Sequence, residues 1–145
     1  MLFRSHRADV KGGARQAVGL AQENPLGLAV GAVAVTLGAR AQRGRNAIEF
    51  LDNPFIAHVG CAAMVIGNTI HYAPGRMPDE LVRRYDRSGS VVLGEHEKAH
   101  TAQYERWGPF FLVAYAICWL PFVPPAGNRF EHAADDWAQR RSTRG

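Results

Sequence analysis

The chain has 145 residues and a formal charge of +4, which is room for one domain built on a single core. Its apolar and charged fractions lie near globular averages, which argues against a disordered chain. Basic residues are scattered, with Arg4, Arg7, Lys11 and Arg15 early, Arg40, Arg43 and Arg45 in the middle and Arg140, Arg141 and Arg144 late; no basic stripe interleaved with aromatics emerges, so no nucleic-acid partner is expected.

In chain order, residues 5–22 read as a polar helix. The first apolar run begins only near Pro25, too late for a standard signal peptide. The expected location is therefore cytoplasmic, or outside by a signal-independent route. Residues 26–40 are apolar and predicted helical, because Ala and Leu outnumber aromatics. Arg40 to Asn46 is a basic connector. Residues 46–66 read as further helix, interrupted near Asn53-Pro54, since a residue before proline avoids the helical region. The run Asn68-Thr69-Ile70-His71-Tyr72 alternates and is β-branched and aromatic, so it predicts a short strand, ended by Pro74-Gly75. Residues 82–92 are mixed, with Ser88-Gly89-Ser90 as a turn. A helix is predicted from about Val91 to Trp107, stopped by Gly108-Pro109. An apolar helix, a loop over 121–127 and a last helix over 128–141 complete the chain. Cys61 and Cys118 lie in apolar runs without a CxxC neighbour, and are expected to be buried free thiols.

Three stretches lack charge: 24–39, 53–75 and 107–128. The longest unbroken helical part of the third, Phe110 to Leu120, reaches about 17 Å at about 1.5 Å per residue. A bilayer core of about 30 Å needs roughly 20 residues. A buried core helix is the plainer reading, and Phe110, Phe111, Tyr115, Trp119 and Phe122 are assigned to the core. Membrane-surface contact stays open, above all for 24–39 with its basic flank.

The residues that carry chemistry are His96-Glu97-Lys98-Ala99-His100. On a helix, positions four apart share a face. Both imidazoles can therefore reach one tetrahedral zinc at about 2.0–2.1 Å. Glu97 points roughly 100° round the helix and can reach a water on that ion. Zinc lowers the pKa of such a water towards about 7, and a carboxylate so placed can shuttle its proton. This is the HExxH pattern of zinc peptidases. The pattern also arises by chance, so a third ligand decides its meaning. Downstream, Glu131-His132-Ala133-Ala134-Asp135-Asp136-Trp137-Ala138 falls on the last predicted helix. Glu131 alone could be the far member of a capping box begun by Asn128. Paired with Asp135 one turn on, and with HExxH on another helix, it is read as the third ligand, with Asp135 orienting a ligand histidine.

These residues resemble the gluzincins, zinc peptidases with HExxH and a glutamate third ligand. The nearer likeness is to the prenyl-protein and heat-shock membrane peptidases and the β-lactam-sensor peptidases, whose Glu-x-x-Ala-Asp-x-x-Ala element is matched by Glu131, Ala134, Asp135 and Ala138. The resemblance implies one zinc held by His96, His100 and Glu131, Glu97 as general base, and Asp135 behind a ligand histidine. It spans about Gly94 to Ala138, and more loosely Asn68 to Tyr72, where gluzincins have an edge strand that pairs with extended substrate. The likeness departs in two ways: this chain is shorter, and it holds one apolar helix between His100 and Glu131 where those families carry a pair of membrane spans. A single span there would put Glu131 across the bilayer from the histidines, so span and site exclude each other.

The family also places a His or Tyr to stabilise an oxyanion; Tyr72, His71, Tyr115 and His132 are the candidates. His58 reads as a satisfied core histidine. Gln103 and Trp107 continue the face of His96 and His100 and are placed on the cleft floor. The expectation is thus a mostly helical α+β fold: one domain with a helical N-terminal part of unknown role (1–66) and a minimal zincin-like part (67–141) with HExxH helix, Glu-bearing helix and a short edge strand or hairpin. The expected function is metal-dependent hydrolysis of a peptide or protein substrate. Small HExxH domains of this kind are similar to modules of bacterial effectors and polymorphic toxins, and the likeness implies an effector-like role. Two alternatives are carried: a non-catalytic zinc-stabilised binding module, and a membrane-associated helical protein with an accidental HExxH. Oligomeric state is not readable.

Overall fold

The computed structural model describes residues 25–44, 47–83, 89–118 and 128–142. The helix expected over 5–22, the loop over 121–127, and the expected core residues Trp119 and Phe122 lie outside them. The architecture is α+β and mostly helical.

Helix α1 (Pro25–Thr36) opens with proline, whose fixed φ suits a first helical turn. It buries only small residues, Gly27, Gly31 and Ala34, spaced four and three on one face. This lets the helix axis approach the sheet closely. At Gly31 the approach is closest: a Cβ there would stand 2.1 Å from the Phe50 ring. The chain then leaves α1 through Gly38, at φ 101°.

Strands β1 (Arg40–Arg43), β2 (Ile48–Leu51), β3 (Ala63–Ile66) and β4 (Thr69–Tyr72) form one sheet in the order β1-β2-β4-β3. β1 runs antiparallel to β2, β2 parallel to β4, and β4 antiparallel to β3. The parallel pair requires a crossover, supplied by α2 (Pro54–Val59) and β3. Asn53 caps α2, accepting from Phe55 N at 3.0 Å, and Gly60 ends it at φ 80°. All four residues of β4 are buried, because helices cover both faces. Ile70 and Tyr72 join Ala47, Leu51 and Leu93 in the core on one face. On the other, His71 stacks on Phe50 beneath α1, with centroids 4.9 Å apart. Full burial of an aliphatic side chain such as Ile70 stabilises by about 1.5–3 kcal/mol.

A second hairpin, β5 (Leu81–Arg83) with β6 (Ser90–Val92), leads directly into α3 (Leu93–Trp107). No side chain caps α3. Its first amides are satisfied instead by backbone: Leu93 N donates to Glu80 O at 2.8 Å and Gly94 N to Pro78 O at 2.7 Å. Helices α4 (Phe110–Ile117) and α5 (Arg129–Ser142) follow.

Several expectations are corrected. The segment 46–66 is helical only over Pro54–Val59 (α2), with the strands β2 and β3 on either side. The N-terminal part is therefore only partly helical, and the basic connector contains β1. The strand at Thr69–Tyr72 lies inside the sheet; β3, its hairpin partner, is the edge on that side. Cys61 is exposed beyond α2, although both cysteines are free as expected. His58 is exposed too, its Nδ1–H donating to Pro54 O at 2.9 Å. Finally, α4 buries only Phe111, and Phe110 is 73% exposed. No helix among the described residues is long and apolar enough to cross a membrane.

Candidate metal centre

Helix α3 carries His96 and His100 on its buried face, and α5 packs against it. The packing stripe of α5 is Glu131, Ala134, Asp135 and Ala138, at helical spacing. Ala134 and Ala138 are fully buried, and their small size brings α5 close enough for a carboxylate to reach the histidines.

Three donors converge. His96 Nε2 and His100 Nε2 lie 3.1 Å apart. Glu131 Oε2 stands 3.2 Å from His96 Nε2, and Glu131 Oε1 stands 3.1 Å from His100 Nε2. One ligand atom from each of the three residues falls within 4.8 Å of the others, close enough to bind one metal ion.

The far sides of both rings fix their tautomers. Asp135 Oδ1 lies 2.8 Å from His96 Nδ1. A carboxylate so close favours the proton on His96 Nδ1, which leaves Nε2 as the atom that can offer a lone pair to a metal. Gln103 Oε1 lies 2.9 Å from His100 Nδ1. The amide orientation is set by its other end, Gln103 Nε2, which donates to Phe130 O at 2.9 Å. His100 Nδ1 therefore donates as well. Two imidazole lone pairs and a carboxylate then face one point, an arrangement that a cation or added protons must neutralise. The same crowding appears in the acidities. Burial opposes a charge on His96, yet the carboxylates of Asp135 and Glu131 raise it to about 9. Burial likewise opposes the Glu131 carboxylate, yet the imidazoles of His100 and His96 hold it far below the usual range.

Glu97 follows His96 and is 7% exposed. Its charge raises both His96 and the Tyr72 hydroxyl, and it is not among the three residues whose ligand atoms converge. Tyr115 belongs to the centre: its hydroxyl donates to Glu131 Oε1 at 2.6 Å, and its ring meets His100 edge-on at 5.8 Å. His71 does not. Its ring nitrogens contact Asn53 Nδ2 at 3.0 Å and Thr69 Oγ1 at 2.9 Å, on the α1 side of the sheet. Burial pushes it down to about 4. Tyr72 sits in the core beside Leu93, its acidity weakened by burial and by Glu49, Glu97 and Glu95. His132 neighbours Glu131 on α5 and is half-buried. Asn128 caps α5 through Phe130 N at 3.0 Å, while the Glu131 carboxylate lies against the histidines.

The residue that sequence reasoning placed too loosely is Gln103. Its spacing of three from His100 put it on the right face. Its bond to the imidazole is local to α3, but its bond to Phe130 O depends on the placement of α5, which no local pattern encodes.

No family model, curated protein or solved structure matches this chain.

Proposed function

We propose that the chain is a zinc-dependent peptidase of the gluzincin kind. The observation that supports it is the convergence of His96 Nε2, His100 Nε2 and a Glu131 carboxylate, with a buried Glu97 one residue along. Two imidazoles and one carboxylate suit zinc, and such catalytic sites leave a fourth position for water. Zinc, when bound, supplies a Lewis acid and an acidified water. His96, His100 and Glu131 hold it. Asp135 and Gln103 keep both Nε2 lone pairs turned inward, and Tyr115 steadies Glu131. Glu97 takes the proton of the water that adds to the scissile carbonyl carbon. As the C–N bond breaks, it returns that proton to the leaving amine nitrogen.

A second reading is favoured by one observation: His96 and His100 are 3% and 5% exposed. A centre so enclosed also fits a zinc that stabilises a binding module. Glu97→Gln separates the two. The peptidase reading expects zinc retained and cleavage of labelled casein or a peptide library abolished. Unchanged behaviour in every assay supports the module.

A further inference from the structure

We infer that Gln103 is a positioning residue that couples the two metal-bearing helices, so that the working unit of α3 runs from His96 to Gln103. This rests on the metal centre proposed above and adds a regulator of its affinity. The Gln103 side chain spans two bonds. Its Oε1 takes the His100 Nδ1 proton at 2.9 Å, and its Nε2 donates to Phe130 O at 2.9 Å. Phe130 immediately precedes Glu131. One amide therefore links the ring of the second histidine to the backbone that carries the carboxylate.

The two ends act differently. The Nε2 end ties α5 to α3 and acts on stability. The Oε1 end selects the tautomer of His100 that leaves Nε2 unprotonated, and acts on the metal. Asp135 does the equivalent for His96 from the opposite helix. Each histidine is thus oriented by a different side chain, a carboxylate for one and a neutral amide for the other. The neighbouring rings of Phe111 and Phe130 enclose this corner: His100 and Phe111 centroids lie 6.1 Å apart, and Phe111 and Phe130 centroids 5.2 Å apart. Loss of Oε1 removes the acceptor that holds the His100 Nδ1 proton and frees that proton to move to Nε2.

The test compares Gln103→Met with Gln103→Glu. Both lose the donor to Phe130 O. Only the glutamate keeps an acceptor for His100 Nδ1–H. Zinc affinity is measured by competition with a chelating dye, stability by thermal unfolding, and the His100 tautomer of the metal-free protein by long-range proton–nitrogen NMR at mildly alkaline pH. Both variants are expected to melt below wild type. Gln103→Met is expected to weaken zinc binding by about 10- to 100-fold and to lose the Nδ1–H signature. Gln103→Glu is expected to keep both. Equal affinity in all three proteins, or equal weakening in both variants, overturns the inference. If wild type binds no zinc, the function proposed above fails while the tautomer readout still decides the role of Gln103.

Discussion

Asp135 on α5 and His96 on α3 meet at 2.8 Å, Oδ1 to Nδ1, with Asp135 1% exposed. The contact links two helices at the one place where a ligand imidazole must be held in a single orientation. Asp135→Asn keeps the shape but removes a charge that favours the proton on Nδ1. Zinc affinity is expected to fall about 10- to 100-fold, read by chelator competition, while secondary structure by circular dichroism stays that of wild type.

Gly31 and Phe50 give a prediction remote from the metal. A Cβ at residue 31 would sit 2.1 Å from the Phe50 ring. Gly31→Ala is therefore expected to destabilise by about 1–3 kcal/mol through overpacking, read by urea unfolding. Adding Phe50→Leu, which shortens the obstructing side chain, is expected to recover part of that loss. Zinc stoichiometry should not change, because α1 covers the face of the sheet turned away from α3.

His71 predicts a pH dependence. Burial lowers it from 6.5 to about 4 in the folded protein. The unfolded chain therefore takes up a proton below about 6.5 while the folded one does not until about 4. Unfolding is favoured by proton uptake, so stability falls as pH drops through this window and levels off below it. The difference amounts to at most about 3 kcal/mol. In His71→Gln, which keeps a donor and an acceptor for Asn53 and Thr69, this contribution to the acid loss is absent. Its stability curve between these pH values is expected to be flatter than that of wild type. Parallel curves would contradict a buried neutral imidazole.

The parts of this account that could be read from sequence are those written at helical spacing. His96 and His100 at four residues, and Glu131, Ala134, Asp135 and Ala138 at three, one and three, each mark one face of one helix, and the structure sets those faces together. In the segment 46–66 two polar residues break the alternation that marks a strand. Glu49 is buried with its carboxylate accepting from Gln42 Nε2 at 2.6 Å, and Asn53 is buried as a cap that also reaches His71. Gln42 lies seven residues before Glu49 and His71 eighteen after Asn53, so no local pattern shows that these two polar positions are buried. Strand order posed the same difficulty. The residues 69–72 predict a strand, but its interior place depends on β2 arriving from across α2. In α4, apolar composition implied burial, while the packing takes only Phe111 inward.

The central claim is that His96, His100 and Glu131 hold one zinc ion. It is tested most directly by elemental analysis of protein purified without added metal, wild type beside Glu131→Ala. The account predicts about one zinc per chain in wild type and loss or strong weakening in the variant, whose helix content should be unchanged. Wild type without zinc after equilibration with micromolar zinc would contradict it, as would a variant that retains the ion at wild-type affinity.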